Sequence, residues 1–197
     1  PRPVVYGVKS FTHAVDRLED RCVRVLNFVP EFDERYIRDE TEWTKTLYPA
    51  LKAFLLQAAQ DSERPRLALD AHTTLAFAAG SVLNTKTGRI VELEQRSPAR
   101  QIWAADDTEW NPAWPDLVFE EVIIDTARRE IAVAVAITHD VVSDVSAYVE
   151  RSLQKVGRLL VARPSAGTSQ NAIANGRHAC ELARSIAAKV KAKGSAA

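Results

Sequence analysis

The sequence has little of several features that would identify a class of protein at once. Its 197 residues include no methionine, only two cysteines, and equal numbers of basic and acidic residues, 26 of each. The surroundings of Cys22 and Cys180 are apolar or helical, which favours buried free thiols and a reducing compartment over a disulfide framework. A formal charge of zero argues against a domain that holds a nucleic-acid duplex by bulk electrostatics. An anionic ligand must therefore be held by local groups.

Long apolar stretches and targeting signals are also missing. No run of about 18 apolar residues and no signal-peptide pattern occurs, so we expect a soluble cytoplasmic protein without a membrane partner. The chain begins with "PRPVV" and contains no methionine. We expect it to be a fragment whose N-terminal effector domain is absent. The length of the chain, 197 residues, suits one large domain or two small ones.

Strand and helix patterns alternate in both halves and predict an α/β fold with helices on mainly parallel sheets. The expected halves are 1–105 and 115–197, joined by a linker rich in Trp, Pro and Asp. Predicted strands are 21–29, 65–70, 90–96, 130–140 and 157–164. Predicted helices are 44–60, 73–84, 141–153 and 177–193, with loops at 30–43 and 165–176 and a turn at 85–89.

Two strand ends carry a histidine with Thr or Asp beside it. They are "LALDAHTT", ending in His72, Thr73 and Thr74, and "VAVAITHD", ending in Thr138, His139 and Asp140. Ligands of open α/β sheets bind outside the carboxyl ends of strands, near helix N-termini. The pattern predicts that both ends contribute to one pocket. The competing interpretation is that Thr73 and Asp140 only cap the helices that follow.

The chain resembles SAVED domains, the nucleotide-sensing modules of bacterial anti-phage systems of the CBASS type. From about Leu67 to the C-terminus it carries four landmarks in order: "LALDAHTTLAFAAGSVLNTKTGRIVELEQR", Trp103, "AITHDV" with a later "YV", and "NGRHACELARSIAAKV". The resemblance implies two fused CARF-like, Rossmann-like units. It also implies a cyclic oligonucleotide ligand made by a partner nucleotidyltransferase.

Similarity to the type fused to an HNH endonuclease implies more about the whole protein. Ligand binding would drive self-association, into tetramers in the full-length protein, and would activate a DNA-cutting effector. TIR, protease and other nuclease effectors also occur on this module. The domain itself is expected to be a sensor, with neither an enzyme activity nor direct DNA binding.

A cyclic dinucleotide such as a cyclic GMP-AMP is the expected ligand, and its chemistry defines the residues required. Phosphates need N–H donors or cations, and bases need a stacking surface. Contacts to phosphate and sugar are assigned to His72, Thr73, Thr74, Thr138, His139 and the loop 165–169, with Gly167, Thr168 and Ser169. Arg96 is the expected cation; its alternative is a solvated surface side chain.

Stacking and loop contacts complete the expected site. Trp103 is the expected stacking residue, with a core position as its alternative, whereas Trp110 and Trp114 are expected to pack the linker. His178, at the start of the last predicted helix, is expected either to approach the ligand or to cap the preceding loop. The loop 165–169 has an ordinary surface turn as its alternative.

Two other functions remain open at this stage. A metal-dependent hydrolase could use Asp70, His72, His139 and Asp140 as ligands. No HExxH or HxH spacing supports it, so such a site would depend on convergence of the two halves. A purely structural assembly module is favoured if the polar residues at the strand ends are only caps. The sequence "GTSQN" lacks the G-x-S-x-G elbow of serine hydrolases.

Overall fold

The computed structural model describes residues 4–12, 17–83, 88–96 and 99–194. Its chain forms two compact units, Pro1–Asp106 (unit 1) and Asp107–Ala197 (unit 2). Each unit has a sheet that contains parallel strands and packs against α-helices. The expected α/β class is therefore confirmed.

Unit 1 is built on a five-stranded sheet in the order β2-β1-β5-β6-β7. Its strands are β1 (Val5–Lys9), β2 (Arg24–Asn27), β3 (Phe32–Asp33), β4 (Tyr36–Ile37), β5 (Arg66–Asp70), β6 (Glu92–Gln95) and β7 (Gln101–Ala104). The β1–β2, β1–β5 and β5–β6 pairs are parallel, and β6–β7 is antiparallel. The two-residue strands β3 and β4 form a separate antiparallel hairpin.

Both helices of unit 1, α1 (Tyr48–Asp61) and α2 (Thr73–Val82), pack on one face of this sheet. Leu51 and Leu55 of α1 and Leu75 of α2 are buried against Tyr6 and Leu67 of the sheet. A π-helical turn, Trp43–Leu47, runs directly into α1, and the proline of α1 lies in the first turn of α1, as the sequence requires.

The other face of this sheet is covered by a short 3₁₀ helix, Leu18–Asp20, and by ion pairs. Arg21 Nη1 lies 2.6 Å from Glu94 Oε2, and Arg66 Nη2 lies 2.7 Å from Glu92 Oε2. Burial raises the pKa of Glu92, but hydrogen bonds from Arg66 and Arg64 outweigh it and keep the pKa below its usual value. On the face opposite α1 and α2, one ion pair therefore joins β5 to β6, and the other joins the segment before β2 to β6.

Unit 2 contains β8 (Leu117–Ile123), β9 (Glu130–Val135), α3 (Val142–Ser152), β10 (Val156–Pro164) and α4 (Gly176–Gly194). The strand order is β8-β10-β9, with β10 antiparallel to β8 and parallel to β9. Leu182 of α4 packs with Ala162, whereas Val145 of α3 packs with Val161. Since neighbouring strand residues point to opposite faces, the two helices cover opposite faces of the sheet.

Several predicted elements differ from the structure. The predicted strand 21–29 is shorter, the predicted loop 30–43 contains the hairpin, and the strand predicted over 130–140 ends at Val135. Strands β1, β7 and β8 were not predicted. The turn predicted at 85–89 lies partly outside the described residues.

The cysteines and the helix lengths bear on two further expectations. Cys22 and Cys180 are half-buried thiols that form no disulfide, and burial raises the pKa of the Cys180 thiol, which lowers its reactivity at neutral pH. Across the described ranges, every helix is too short or too polar to cross a bilayer.

Candidate functional site

The carboxyl ends of β1 and β5 form the switch point of the unit 1 sheet. These strands are parallel neighbours, with Lys9 opposite Asp70 at their last residues. The chain continues from β1 to β2 on one side, and from β5 through α2 to β6 on the other. The connections therefore diverge, and such a divergence opens a crevice at the carboxyl edge, where ligands of open α/β sheets bind.

His72 lies at this switch point and uses both ring nitrogens. Its Nδ1 lies 2.6 Å from Ser10 Oγ, just past β1, and its Nε2 lies 2.8 Å from the Glu34 carbonyl oxygen. The ring stacks on Phe32 at 4.2 Å, with 6° between the planes, and it contacts Phe11 at 4.2 Å. His72 thus joins the ends of β1 and β5 to the β3–β4 hairpin.

The start of α2 is open to solvent beside His72. Thr73 and Thr74 are both exposed, and no side chain caps the helix among the described residues. The His72 carbonyl accepts hydrogen bonds from the N–H groups of Leu75 and Ala76. The hydroxyl and backbone N–H groups of Thr73 and Thr74 are therefore donors that this edge can offer to an anion.

Arg96 follows β6 at the same edge, but its charge is paired. Its Nη2 lies 2.7 Å from Oδ1 of Asp70, a carboxylate that is 6% exposed. Each partner retains a buried atom, Arg96 Nη1 and Asp70 Oδ2, that lacks a hydrogen bond within the described part of the chain. A phosphate would have to share this guanidinium with Asp70, so Arg96 as a ligand cation stays a prediction.

The structure brings the predicted residues of unit 2 together at the carboxyl edge of β9 and β10. The Ser169 N–H donates to the Ile137 carbonyl oxygen at 3.0 Å, which places the loop 165–169 beside Thr138 and His139. These residues are exposed, and Thr138 Oγ1 lies 2.9 Å from His139 Nδ1. Gly167 has a φ of 91°, which a residue with a side chain would adopt only with strain.

Side chains already accept N–H groups at the starts of α3 and α4. Asp140 lies just before Val141, the N-cap of α3, and its Oδ1 accepts the N–H of the first helical residue, Val142, at 2.9 Å. At α4, the Gly176 N–H donates to Asp107 Oδ2 and the His178 N–H donates to Asn175 Oδ1. The loop 165–169 therefore does not lead directly into a free helix N-terminus.

Trp103 lies inside β7, a strand that the sequence did not predict. It sits in β7, opposite Leu93 of β6, and is half-buried. Its Nε1 donates to Gln101 Oε1 at 3.1 Å. Because β7 runs antiparallel and begins at the carboxyl edge of the parallel strands, the indole lies two residues in from that edge.

His178 is 1% exposed and has both ring nitrogens satisfied within unit 2. Its Nδ1 accepts the Ala174 N–H at 3.2 Å, and its Nε2 donates to the Pro115 carbonyl oxygen at 3.1 Å. The ring stacks on Trp114 at 5.2 Å. This geometry favours the loop-capping alternative, because a buried ring with two partners offers nothing to a ligand.

The residues proposed for a metal site are engaged elsewhere. Asp70 pairs with Arg96, and His72 bonds to Ser10 and to the Glu34 carbonyl. Over the ranges that the structure describes, no three His, Cys, Asp or Glu side chains gather closely enough to hold a metal ion. The donor set therefore does not favour the hydrolase alternative.

Sequence reasoning missed the partners of His72, namely Ser10, Phe11, Phe32 and Glu34. The signal that could have found Ser10 is the apolar run "VVYGV" before it, which ends at a polar pair as the other strand ends do. Phe32 and Glu34 lie in a charged stretch with no periodicity, so nothing local marks their positions.

Comparison with known proteins gives three findings. The model of the SAVED family, described as the SMODS-associated and fused to various effectors sensor domain, matches residues 47–194. The chain is 27% identical over 182 residues to CD-NTase-associated protein 4 of Enterobacter hormaechei subsp. hoffmannii, covering 91% of this chain but only 36% of that protein.

A solved structure also resembles the chain. It is the Acinetobacter baumannii Cap4 SAVED/CARF-domain containing receptor with the cyclic trinucleotide 2'3'3'-cAAA, at a TM-score of 0.64 and 14% identity. The alignment covers 97% of this chain and 41% of that one, and at this identity it shows the fold. Because the family model covers well over half of the sequence, the chain belongs to the SAVED family of sensor domains.

Proposed function

We propose that this domain senses a cyclic oligonucleotide made by a partner nucleotidyltransferase in anti-phage defence. The observation that carries the proposal is the switch point at β1 and β5, where Thr73 and Thr74 present hydroxyls at an open helix start. The exposed group of Thr138, His139 and the loop 165–169 offers a second set of donors in unit 2.

The ring size of the ligand is the finer part of this proposal. A cyclic dinucleotide is the expectation from the sequence, and the Acinetobacter receptor was solved with a cyclic trinucleotide. Both offer phosphates for the hydroxyl groups and bases for a stacking surface. No metal is required for such binding.

The whole protein would pass this signal to a fused effector, which we propose to be a nuclease. Binding can shift an equilibrium only if the ligand prefers one state, so an assembled form must bind it more tightly. Contacts between different patches of identical domains can build species larger than a dimer, including the proposed tetramer.

A ligand panel tests the proposal. Saturation with the correct cyclic di- or trinucleotide at about 100-fold above Kd is expected to raise Tm by about 5–10 °C, because binding to the folded state adds about 2.7 kcal/mol. Light scattering on the same samples is expected to show a rise in mass. The linear trinucleotide is the matched control, and each assay is repeated with a chelator.

Three results would count against the proposal. Folded protein that shows no Tm shift with any cyclic di- or trinucleotide would overturn the sensor function. Loss of the shift with chelator, or consumption of the ligand, would favour the metal-dependent hydrolase. A constant mass in full-length protein whose effector switches on would overturn only ligand-driven assembly.

Trp103→Ala tests the stacking role taken from the sequence. If a base lies on the indole, the substitution should weaken binding by about 1–3 kcal/mol. Titration calorimetry gives the affinity, and Trp103→Phe, which keeps an aromatic face, should retain most of it. Unchanged binding by a folded Trp103→Ala protein would assign the side chain to packing of the edge strand.

A further inference from the structure

One groove of unit 2 contains none of the residues proposed to bind the ligand. It has a volume of about 490 Å³ and lies between α4 and the segment that leads into β8. Trp110 and Asp116 line it from this segment, and Arg177, Glu181 and Arg184 line it from α4. The three α4 residues lie three or four positions apart, so they share one face of the helix. The groove therefore combines an aromatic ring with charges of both signs.

The Arg177 guanidinium is held in this groove by an aromatic ring and not by an acid. Its Cζ lies 5.4 Å from the centroid of the Trp110 ring, which is a cation–π distance. Within the described part of the chain, the Arg177 side chain has no ion pair and no hydrogen bond. A guanidinium that stacks on an aromatic ring keeps its N–H donors in its own plane. These donors therefore remain available to a carboxylate.

Asp116 brings an unpaired carboxylate to the same groove. Its backbone is fixed, because its carbonyl oxygen accepts the Ser165 N–H at 2.7 Å. Its side chain is exposed and has no partner among the described residues. The other two charges are already paired, since Arg184 Nη1 lies 2.6 Å from Glu181 Oε1. Over the described ranges, the groove thus leaves one cation and one anion unpaired.

We propose that this groove is a contact surface between two copies of the domain, in which Arg177 of each copy pairs with Asp116 of the other. In a two-fold contact the same patch is used twice, so two residues that meet across it meet a second time in reverse order. A patch with one unpaired cation and one unpaired anion is therefore complementary to itself. The inference rests on the self-association in the proposed function and gives it a surface.

The charges of the groove favour a second copy over other partners. Arg177 and Arg184 balance Asp116 and Glu181, so the formal charge of the lining is zero. An anionic ligand would meet two carboxylates here. A strongly acidic or strongly basic segment of another protein would likewise meet like charge, which disfavours the wrong partner.

The other side chains of the groove suit a contact between proteins. Trp and Arg are enriched among the residues that carry most of the energy at interfaces. Trp110 is 44% exposed, so much of its indole is still available for burial. Ser185 and Ala188, which also line the groove, are small and leave room for a second helix to approach. A two-fold contact closes at a dimer, so the proposed tetramer needs a second surface.

Charge reversal tests the pairing. Arg177→Asp and Asp116→Arg each place like charges at both symmetric contacts, so each variant alone is expected to raise the dimer dissociation constant about 10-fold or more. An equimolar mixture of the two variants is expected to associate again, because the reversed charges then face opposite charges. Sedimentation equilibrium measures the mass, alone and with a cyclic GMP-AMP or 2'3'3'-cAAA.

Arg129→Asp is the matched control, because Arg129 is exposed between β8 and β9, outside the groove. It makes the same change of charge in the same unit and should associate as the wild-type protein does. All three variants should keep the wild-type urea midpoint, since exposed side chains add little to stability. Association of the mixture also shows that both variants are folded.

Four results would overturn this contact. They are a wild-type protein that stays monomeric in every condition, self-association that either reversal leaves unchanged, folded variants whose mixture stays monomeric, and an equal loss in Arg129→Asp. If Arg177→Asp keeps the wild-type mass but loses nucleotide binding in calorimetry, the groove is a nucleotide site instead. Nucleotide binding by a wild-type protein that stays monomeric would leave the sensor function intact, so the two failures can be distinguished.

Discussion

Gly157→Ala is expected to destabilise unit 2 by about 3 kcal/mol, because a Cβ at this position has no space. It would lie 2.3 Å from the carbonyl oxygens of Asp125 and Arg128, which are backbone atoms that cannot rotate away. The Gly157 carbonyl accepts hydrogen bonds from the N–H groups of Ile124 and Asp125, so the β8–β9 turn is bonded to this residue. Pushing the turn outward would break both bonds.

The position of Gly157 explains why the substitution would affect more than the β8–β9 turn. The residue sits where the pairing of β10 with β9 shifts register, between Val156 and Arg158. β10 is the central strand of its sheet, and the other end of this strand leads into the loop 165–169. A distortion of β10 therefore disturbs both strand pairings and the strand that positions this part of the candidate site.

Urea denaturation measures the effect, with Gly80→Ala as the matched control. Gly80 is exposed on α2, and a Cβ there would meet nothing within 4 Å. Alanine in that helix should stabilise unit 1 by about 0.5–1 kcal/mol. If the Gly157→Ala protein unfolds at the wild-type urea midpoint, the prediction is wrong, because the β8–β9 turn must then leave space for a Cβ at this position.

The elements that could be predicted from the sequence are those with a strong local pattern. β5, β9 and β10 are aliphatic runs, and α1 to α4 have apolar residues at helical spacing. β1 was missed because it is a five-residue strand interrupted by Gly7, close to the start of the chain. β8 was missed because its exposed edge admits Glu120 and Glu121.

The site was predictable only in part, for a related reason. Polar residues after an aliphatic strand mark a strand end, so His72, Thr73, Thr138 and His139 could be placed at sheet edges. Their partners could not, because register between distant strands leaves no local pattern. Ser10 lies 62 residues from His72.

The pairing of charges was hidden in the same way. Asp70 and Arg96 are 26 residues apart, and only the parallel register of β5 and β6 brings them together. The sequence therefore presented Arg96 as a free cation and Asp70 as a possible metal ligand. In the structure, the Arg96 guanidinium and the Asp70 carboxylate instead form an ion pair with each other.

The two histidines of unit 2 should respond to substitution in opposite ways. His178→Ala is expected to lower the free energy of unfolding by about 3 kcal/mol, because it leaves a cavity beside Trp114 and removes the partners of the Ala174 N–H and the Pro115 carbonyl. His139 is exposed, so His139→Ala should leave stability within about 0.5 kcal/mol of wild type.

Ligand affinity, measured beside stability, separates the roles of these two residues. His139→Ala should weaken binding of the cyclic oligonucleotide directly if the proposed edge contacts the ligand. His178→Ala acts only through the segments that its ring joins, 107–116 and 165–176, so any loss of affinity must accompany the loss of stability. Calorimetric titration below the unfolding temperature measures affinity, and urea denaturation measures stability. A side chain that stabilises the fold cannot be removed without lowering the free energy of unfolding. A His178→Ala protein that keeps its full stability but no longer binds the ligand would therefore contradict the packing role and assign His178 to the ligand site.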